Sequence, residues 1–274
     1  QRGIIPAMCG VSSLVLGVAL GPGLLSAPPA KAPSLAPLKA KLDGIAAGFH
    51  GRLGYHLMLV NGGASIGYRD QERYPSASTI KTAVMVEAMN QVDEGKLKWT
   101  DKMEVPTDPS RRQASMWSYF LKDGTKLDLD GWVNLMITVS DNTATIVVRD
   151  WLGPQNVNRR MENLGLPNTK ILGNLPPDNV QDQRLRRSFG MGMTTPREMV
   201  GLFHRIHLRQ AASPAACDKM LRILSHQYWD DFIGSSVPPD IRIACKSGAI
   251  NRSRSDVAIV YGPTPYILAI FTDS

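Results

Sequence analysis

Apolar positions alternate with polar or small ones near both ends of this chain, and between them they recur every three to four residues. Residues 38–49 carry apolar side chains at helical spacing and predict an N-terminal helix. Residues 55–60 read as a strand. Asn61-Gly62-Gly63 is a hairpin signal, and residues 64–68 return as a second strand. From Thr79 to about Leu175 the period is helical, and residues 131–139 and 143–151 predict two helices joined by a tight loop. Residues 173–192 are polar, contain Pro and Arg, and show no clear period. Thr194 or Thr195 reads as the N-cap of a helix over residues 196–207, with Pro196 in its first turn, and residues 213–227 predict another. The pattern then returns to β in residues 241–246, 256–261 and 266–272, with Gly262-Pro263 as a turn. Strands at both ends with helices between predict an α/β (α+β) fold. One antiparallel sheet is built from both termini, about residues 38–75 and 235–274, and an all-helical lobe of about residues 76–234 is inserted into it. A cleft between the lobes is the expected place for a ligand.

Composition narrows the partners. With 274 residues and 43% hydrophobic content the chain can bury a large core. The net charge of +7 suggests an acidic partner. The basic clusters Arg111-Arg112, 184–187 and 252–254 are short and scattered, and no basic stripe interleaves with aromatics, which argues against nucleic acid. A small substrate bearing a carboxylate fits a locally positive cleft. The three cysteines make no framework: Cys9 is in the leader, and Cys217 and Cys245 either pair or stay as buried thiols. Residues 1–32 read as an export signal, with Arg2 ahead of an apolar run (11–25) broken by Gly21-Pro22-Gly23 and followed by small residues. The expectation is an exported, periplasmic or secreted monomer with no stable membrane insertion after signal cleavage. An uncleaved anchor is the alternative.

Three short strings carry candidate chemistry: Ser78-Thr79-Ile80-Lys81, Ser140-Asp141-Asn142 and Lys246-Ser247-Gly248. Each has an ordinary structural explanation, as a helix cap, a capping turn or a strand end. Their order and joint presence point instead to nucleophilic catalysis. Ser78 lies where a helix begins, beside backbone N–H groups suited to an oxyanion. Lys81, three residues on, projects from the same face. A buried lysine near another cation loses its proton more readily and can act as base, and Lys246 is the candidate cation.

At these strings the chain resembles the class A β-lactamase and penicillin-binding serine hydrolase family, over about residues 38–272. The 62 residues from Ser78 to Ser140 and the 106 from Ser140 to Lys246 are close to that family's spacing. Asp70-Gln71-Glu72-Arg73-Tyr74-Pro75, Thr194-Thr195-Pro196-Arg197-Glu198-Met199 and residues 256–261 are similar to it as well. The resemblance implies that Ser78 is acylated, that Lys81 helps remove its proton and that Ser140 relays a proton to the leaving nitrogen. It implies that Asn142 holds the substrate's amide side chain, that Lys246 and Ser247 bind its carboxylate, and that the N–H groups of Ser78 and Ala249 form the oxyanion hole. Gly248 lets the strand come close to the substrate. Asp141 orders its loop, Arg252 or Arg254 adds a carboxylate contact, and Trp117 and Tyr119 either wall the cleft or belong to the core. No metal or other cofactor is implied.

Two departures stand out. Class A enzymes carry an Arg-x-Glu-x-x-Leu-Asn stretch whose Glu activates the deacylating water, and the corresponding loop here, residues 174–183, has no Glu. Asp178 and Asp182 are the candidate deacylation bases. The family also ends in a helix packed on the sheet, whereas this chain stops at Ser274, which implies a missing C-terminal helix and an uncovered sheet face. The expected substrate is a β-lactam or a cell-wall peptide. The alternatives to a β-lactamase are a D-alanyl-D-alanine peptidase and a penicillin-binding sensory module that acylates without efficient turnover.

Overall fold

The computed structural model describes residues 34–61, 63–112, 117–176, 179–229 and 231–274. The signal-like leader and Asp178 lie outside them. In chain order the elements are α1 (Ala36–Ala47), β1 (Arg52–Leu59), β2 (Ser65–Tyr68) and β3 (Tyr74–Pro75), then a 3-10 turn over Ala77–Ile80 that runs into α2 (Lys81–Asp93). Next come β4 (Lys102–Glu104), β5 (Lys126–Asp128), α3 (Leu129–Thr138), α4 (Asn142–Leu152), α5 (Pro154–Asn163) and β6 (Lys170–Ile171). The chain continues with α6 (Val180–Phe189), β7 (Gly192–Thr194), α7 (Pro196–His207) and α8 (Pro214–Leu224), and closes with β8 (Ile243–Ile250), β9 (Ser253–Val260) and β10 (Tyr266–Asp273).

The main sheet is antiparallel, in the order β2-β1-β10-β9-β8, so its first and last strands in the sequence, β1 and β10, pair side by side. The strands and helices expected from periodicity are present, while residues 180–189, which showed no period, form α6. Side-chain alternation divides the sheet into two faces. Ala244, Val257, Ile259, Ile267, Ala269 and Phe271 point into the main core, which they share with α2, α3, α4, α7 and α8. Ala258, Val260 and Cys245 point the other way and pack with Ile233. Lys246 follows the parity of Ala244, so β8 delivers its ammonium to the inner side, where it is 1% exposed.

Helix α2 is the hub. Every residue from Lys81 to Met89 is buried, the signature of a helix enclosed on all sides rather than laid on a surface. Its neighbours start at capped ends. Asp128 Oδ1 accepts from Gly131 N at 2.8 Å, Asp141 Oδ1 from Ala144 N at 2.8 Å and Thr195 Oγ1 from Glu198 N at 3.1 Å. Asp128 and Asp141 thereby set the two helices that flank residues 139–141.

Candidate active site

Four pieces of chain converge where the sequence motifs predict. Ser78 sits half-buried in the 3-10 turn, and neither this turn nor α2 is capped by a side chain, so the serine hydroxyl is not spent on a cap. The preceding residue, Ala77, has φ +45°, and Ser140 has φ +56°. Both are non-glycine residues in the left-handed region, which costs on the order of 1–3 kcal/mol each and persists only where surrounding structure imposes it. At Ser78 that structure is the sheet. Ser255 Oγ, buried on the inner face of β9, donates to Ser76 O at 2.9 Å. Gly248 in β8 comes so close that a Cβ there would lie 2.6 Å from Ser78 N and 3.0 Å from Ala77 Cβ.

Lys81 is fully buried, and its Nζ donates to Ser140 O (2.7 Å), Ser140 Oγ (3.1 Å) and Asn142 Oδ1 (2.9 Å). Burial holds the Lys81 pKa well below the ordinary lysine range. The charge of Lys246 lowers it further, and Asp141 opposes the shift. Burial also pushes Lys246 down to about 8, against the pull of Cys245 and Asp256. Lysine amine and serine hydroxyl thus meet where burial and a neighbouring cation favour loss of the lysine's proton.

Asp141 is 2% exposed and does three jobs at once. Besides capping α4, it accepts from Ser118 N at 3.0 Å and from Ser118 Oγ at 2.9 Å. This ties the 3-10 turn Ser118–Phe120 to the loop bearing Ser140. Beside it, Trp117 meets Tyr228 edge-on at 6.0 Å, and Tyr228 meets Trp229 at 5.0 Å. Trp117 and Tyr119 are 44% and 60% exposed, so neither belongs to the core.

Some sequence expectations fall elsewhere. Asp182 is buried near the start of α6, where its N–H donates to Asn179 Oδ1 and its carboxylate takes Asn179 Nδ2 at 3.0 Å and Lys170 Nζ at 3.5 Å. None of these partners belongs to the group around Ser78. Arg254 has the parity of Asp256 rather than Ser255, and it lines the outer groove with Phe232 and Ile233 instead of reaching toward Ser78. Cys217 and Cys245 are not joined in a disulfide. Ala249 follows Gly248 on β8, opposite Arg254, and Ser247 faces Asp256 across the strands. Sequence reasoning missed the pinning role of Ser255. The signal available was a pair of serines, Ser253 and Ser255, on the strand face that continues with Val257 and Ile259. Among the described residues no group of three His, Cys, Asp or Glu gathers to hold a metal, and no helix is long and apolar enough to cross a membrane.

Comparison with known proteins agrees with this geometry. The family model described as the β-lactamase enzyme family matches residues 37–274. The β-lactamase AER-1 of Aeromonas hydrophila is 27% identical over 233 residues, covering 81% of this chain and 73% of that protein. The crystal structure of a β-lactamase from Sphaerobacter thermophilus superposes with a TM-score of 0.75 at 26% identity, over 88% of this chain and 89% of the other. A variant of PBP-A, solved as an acyl-enzyme complex with penicillin G, does so at 0.76 and 25%, over 87% and 88%.

Proposed function

The chain belongs to the β-lactamase enzyme family and is a serine hydrolase of β-lactamase type, and from that premise we propose that it opens β-lactam amides through an acyl-enzyme on Ser78. The observation that carries the reading is Lys81, fully buried, bonded to Ser140 and Asn142, and depressed in pKa by burial and by Lys246. Neutral Lys81 takes the proton as Ser78 Oγ attacks the lactam carbonyl. The carbonyl oxygen, now an anion, is received by the N–H groups of Ser78 and Ala249. Ser140 passes a proton to the leaving nitrogen as the amide bond breaks. Lys246 and Ser247 take the substrate carboxylate, and Asn142 takes the amide of its side chain. The protein acts as an exported monomer.

Deacylation is the slow step. It needs a base holding water near the acyl carbon, and losing such a base costs about 10²- to 10⁴-fold. Asp182 already serves Asn179 and Lys170, which supports slow turnover. Asp178 is the other candidate. The likeness to PBP-A supports capture of penicillin, while the matched family and AER-1 favour hydrolysis over peptidase action.

The test is a fluorescent penicillin followed by mass spectrometry. It should place one adduct on Ser78, and Ser78→Ala should abolish it. A chromogenic cephalosporin should give a burst of one equivalent and then a slow phase, which Asp182→Asn or Asp178→Asn deepens if either acid serves. A D-Ala-D-Ala peptide should be cleaved more slowly than the cephalosporin. Folded protein that shows neither adduct nor hydrolysis would refute the proposal.

A further inference from the structure

A second cavity, of about 410 Å³, lies between α7, α8 and the sheet end formed by the entry to β8 and the exit from β9. Its lining is strongly basic. His207 and Arg209 come from the end of α7, Arg222 and His226 from α8 and the residues after it, and Arg242 from the approach to β8. The single acid in the lining, Asp218, is held by Arg209 Nη2 at 2.9 Å. Among the described residues neither Arg222 nor Arg242 forms an ion pair. Arg242 lies over the ring of Tyr261, 4.2 Å from its centroid, which orients the guanidinium plane without occupying its N–H donors. Ser225 Oγ is shielded from solvent and has no hydrogen-bond partner. His226 Nδ1–H donates to Arg222 O at 2.6 Å, which leaves the other ring nitrogen uncommitted.

Arg209, Arg222 and Arg242 are donors gathered from separate elements, and cations brought together repel one another unless an anion joins them. A lone carboxylate brings a single negative charge shared between two oxygens. Phosphate groups present more acceptors and accept two-pronged bonds from more than one guanidinium, which suits arginine better than any other side chain. The cavity volume lies within the range usual for small-molecule sites. Leu221 and Tyr261 give it an apolar wall against which the body of a ligand can rest. Burial, together with His204, Arg209 and Arg242, also keeps the His207 pKa below its ordinary value, a sign of the same positive field.

We infer that this cavity binds a small phosphate-bearing molecule, with a diphosphate group held by Arg222, Arg242 and the Ser225 hydroxyl. The inference is independent of the chemistry at Ser78. Inorganic pyrophosphate titrated into the full chain by calorimetry, at low and constant chloride, should bind saturably with a stoichiometry of one. Arg222→Gln/Arg242→Gln should weaken binding at least tenfold. Ser225→Ala, which removes no charge, should weaken it about threefold. Arg184→Gln/Arg187→Gln removes two exposed charges from α6 and should leave binding unchanged. If the double variant at 222 and 242 does not fold, Arg222→Gln alone, at an exposed position of α8, should still weaken binding at least threefold, and wild-type affinity in that variant would overturn the inference. Absence of saturation up to millimolar pyrophosphate would overturn it too, as would equal weakening in the α6 variant, which would mean only diffuse attraction to a basic protein.

Discussion

Gly248 is the residue on which the geometry of the nucleophile depends most sharply. An added methyl would stand 2.6 Å from Ser78 N and 2.6 Å from Ser255 Oγ, and the Ser78 backbone on one side and a buried hydroxyl bonded to Ser76 O on the other leave little room to yield. Gly248→Ala is expected to lower the rate of penicillin labelling at least tenfold and to cost about 1–3 kcal/mol by overpacking. Labelling at the wild-type rate would show that the strand moves freely. On the opposite face, Asp256 is a buried carboxyl with one oxygen unpartnered and the other accepting from Ile233 N at 2.9 Å. Burial raises its pKa to about 7, against the pull of that bond and of Lys246. A carboxyl raised in the folded state binds its proton more tightly there than in the unfolded chain. Its contribution to stability is therefore present at low pH and is lost as pH climbs from about 4 toward 7. At 1.36 kcal/mol per pKa unit the effect is at most about 4 kcal/mol. Urea melts at pH 5 and pH 8 should show a smaller difference for Asp256→Asn than for the wild type. An unchanged difference would remove Asp256 as its source.

At the scale of elements, Asp141 joins three pieces: it starts α4, anchors the turn Ser118–Phe120 and thereby holds the loop that carries Ser140. Asp141→Ala leaves the buried Ser118 N–H and hydroxyl unsatisfied and strips a cap, which should destabilise the protein by about 2–4 kcal/mol. Asp141→Asn keeps most of these bonds and should recover more than half of that loss in thermal melts. Equal loss from both variants would mean that charge, rather than hydrogen bonding, is what matters. Elements differed in how openly the sequence declared them. Helices α3, α4, α7 and α8 and the strands of the main sheet follow from apolar periodicity because burial shapes them. Helix α6 reads Val-Gln-Asp-Gln-Arg-Leu-Arg-Arg-Ser-Phe and buries only Asp182, so there was no apolar face to detect. Its start is set by the Asn179 cap, three residues from Asp182, and by the Lys170–Asp182 pair, which sequence distance conceals. Strands β3, β6 and β7 run for two or three residues each, too short for any period to show. In the site, Ser78, Lys81, Ser140 and Lys246 were legible as motifs, whereas Ser255 earns its place only through strand register.

For the molecule as a whole, one apolar cluster runs from Trp132 and Met136 in the helical lobe to Val257 and Phe271 in the sheet. Lobes that share a core should unfold together. All five tryptophans, Trp99, Trp117, Trp132, Trp151 and Trp229, lie in the helical lobe, so tryptophan fluorescence reports that lobe while far-ultraviolet circular dichroism reports the whole chain. The two urea transitions should coincide, and separate midpoints would show that the lobes are independent. The pairing of β1 with β10, from Arg52↔Asp273 to Leu59↔Tyr266, sets a further condition on how this fold is reached. Strand β1 leaves a ribosome well before its partner β10. At about 5–20 residues per second the interval between them is roughly 10–40 s. For that time the nascent chain carries an apolar strand with an open edge, the kind of surface that recruits chaperones or finds a wrong neighbour. The native sheet therefore closes only after β10 has been made, and whatever handles the growing polypeptide meets β1 before that.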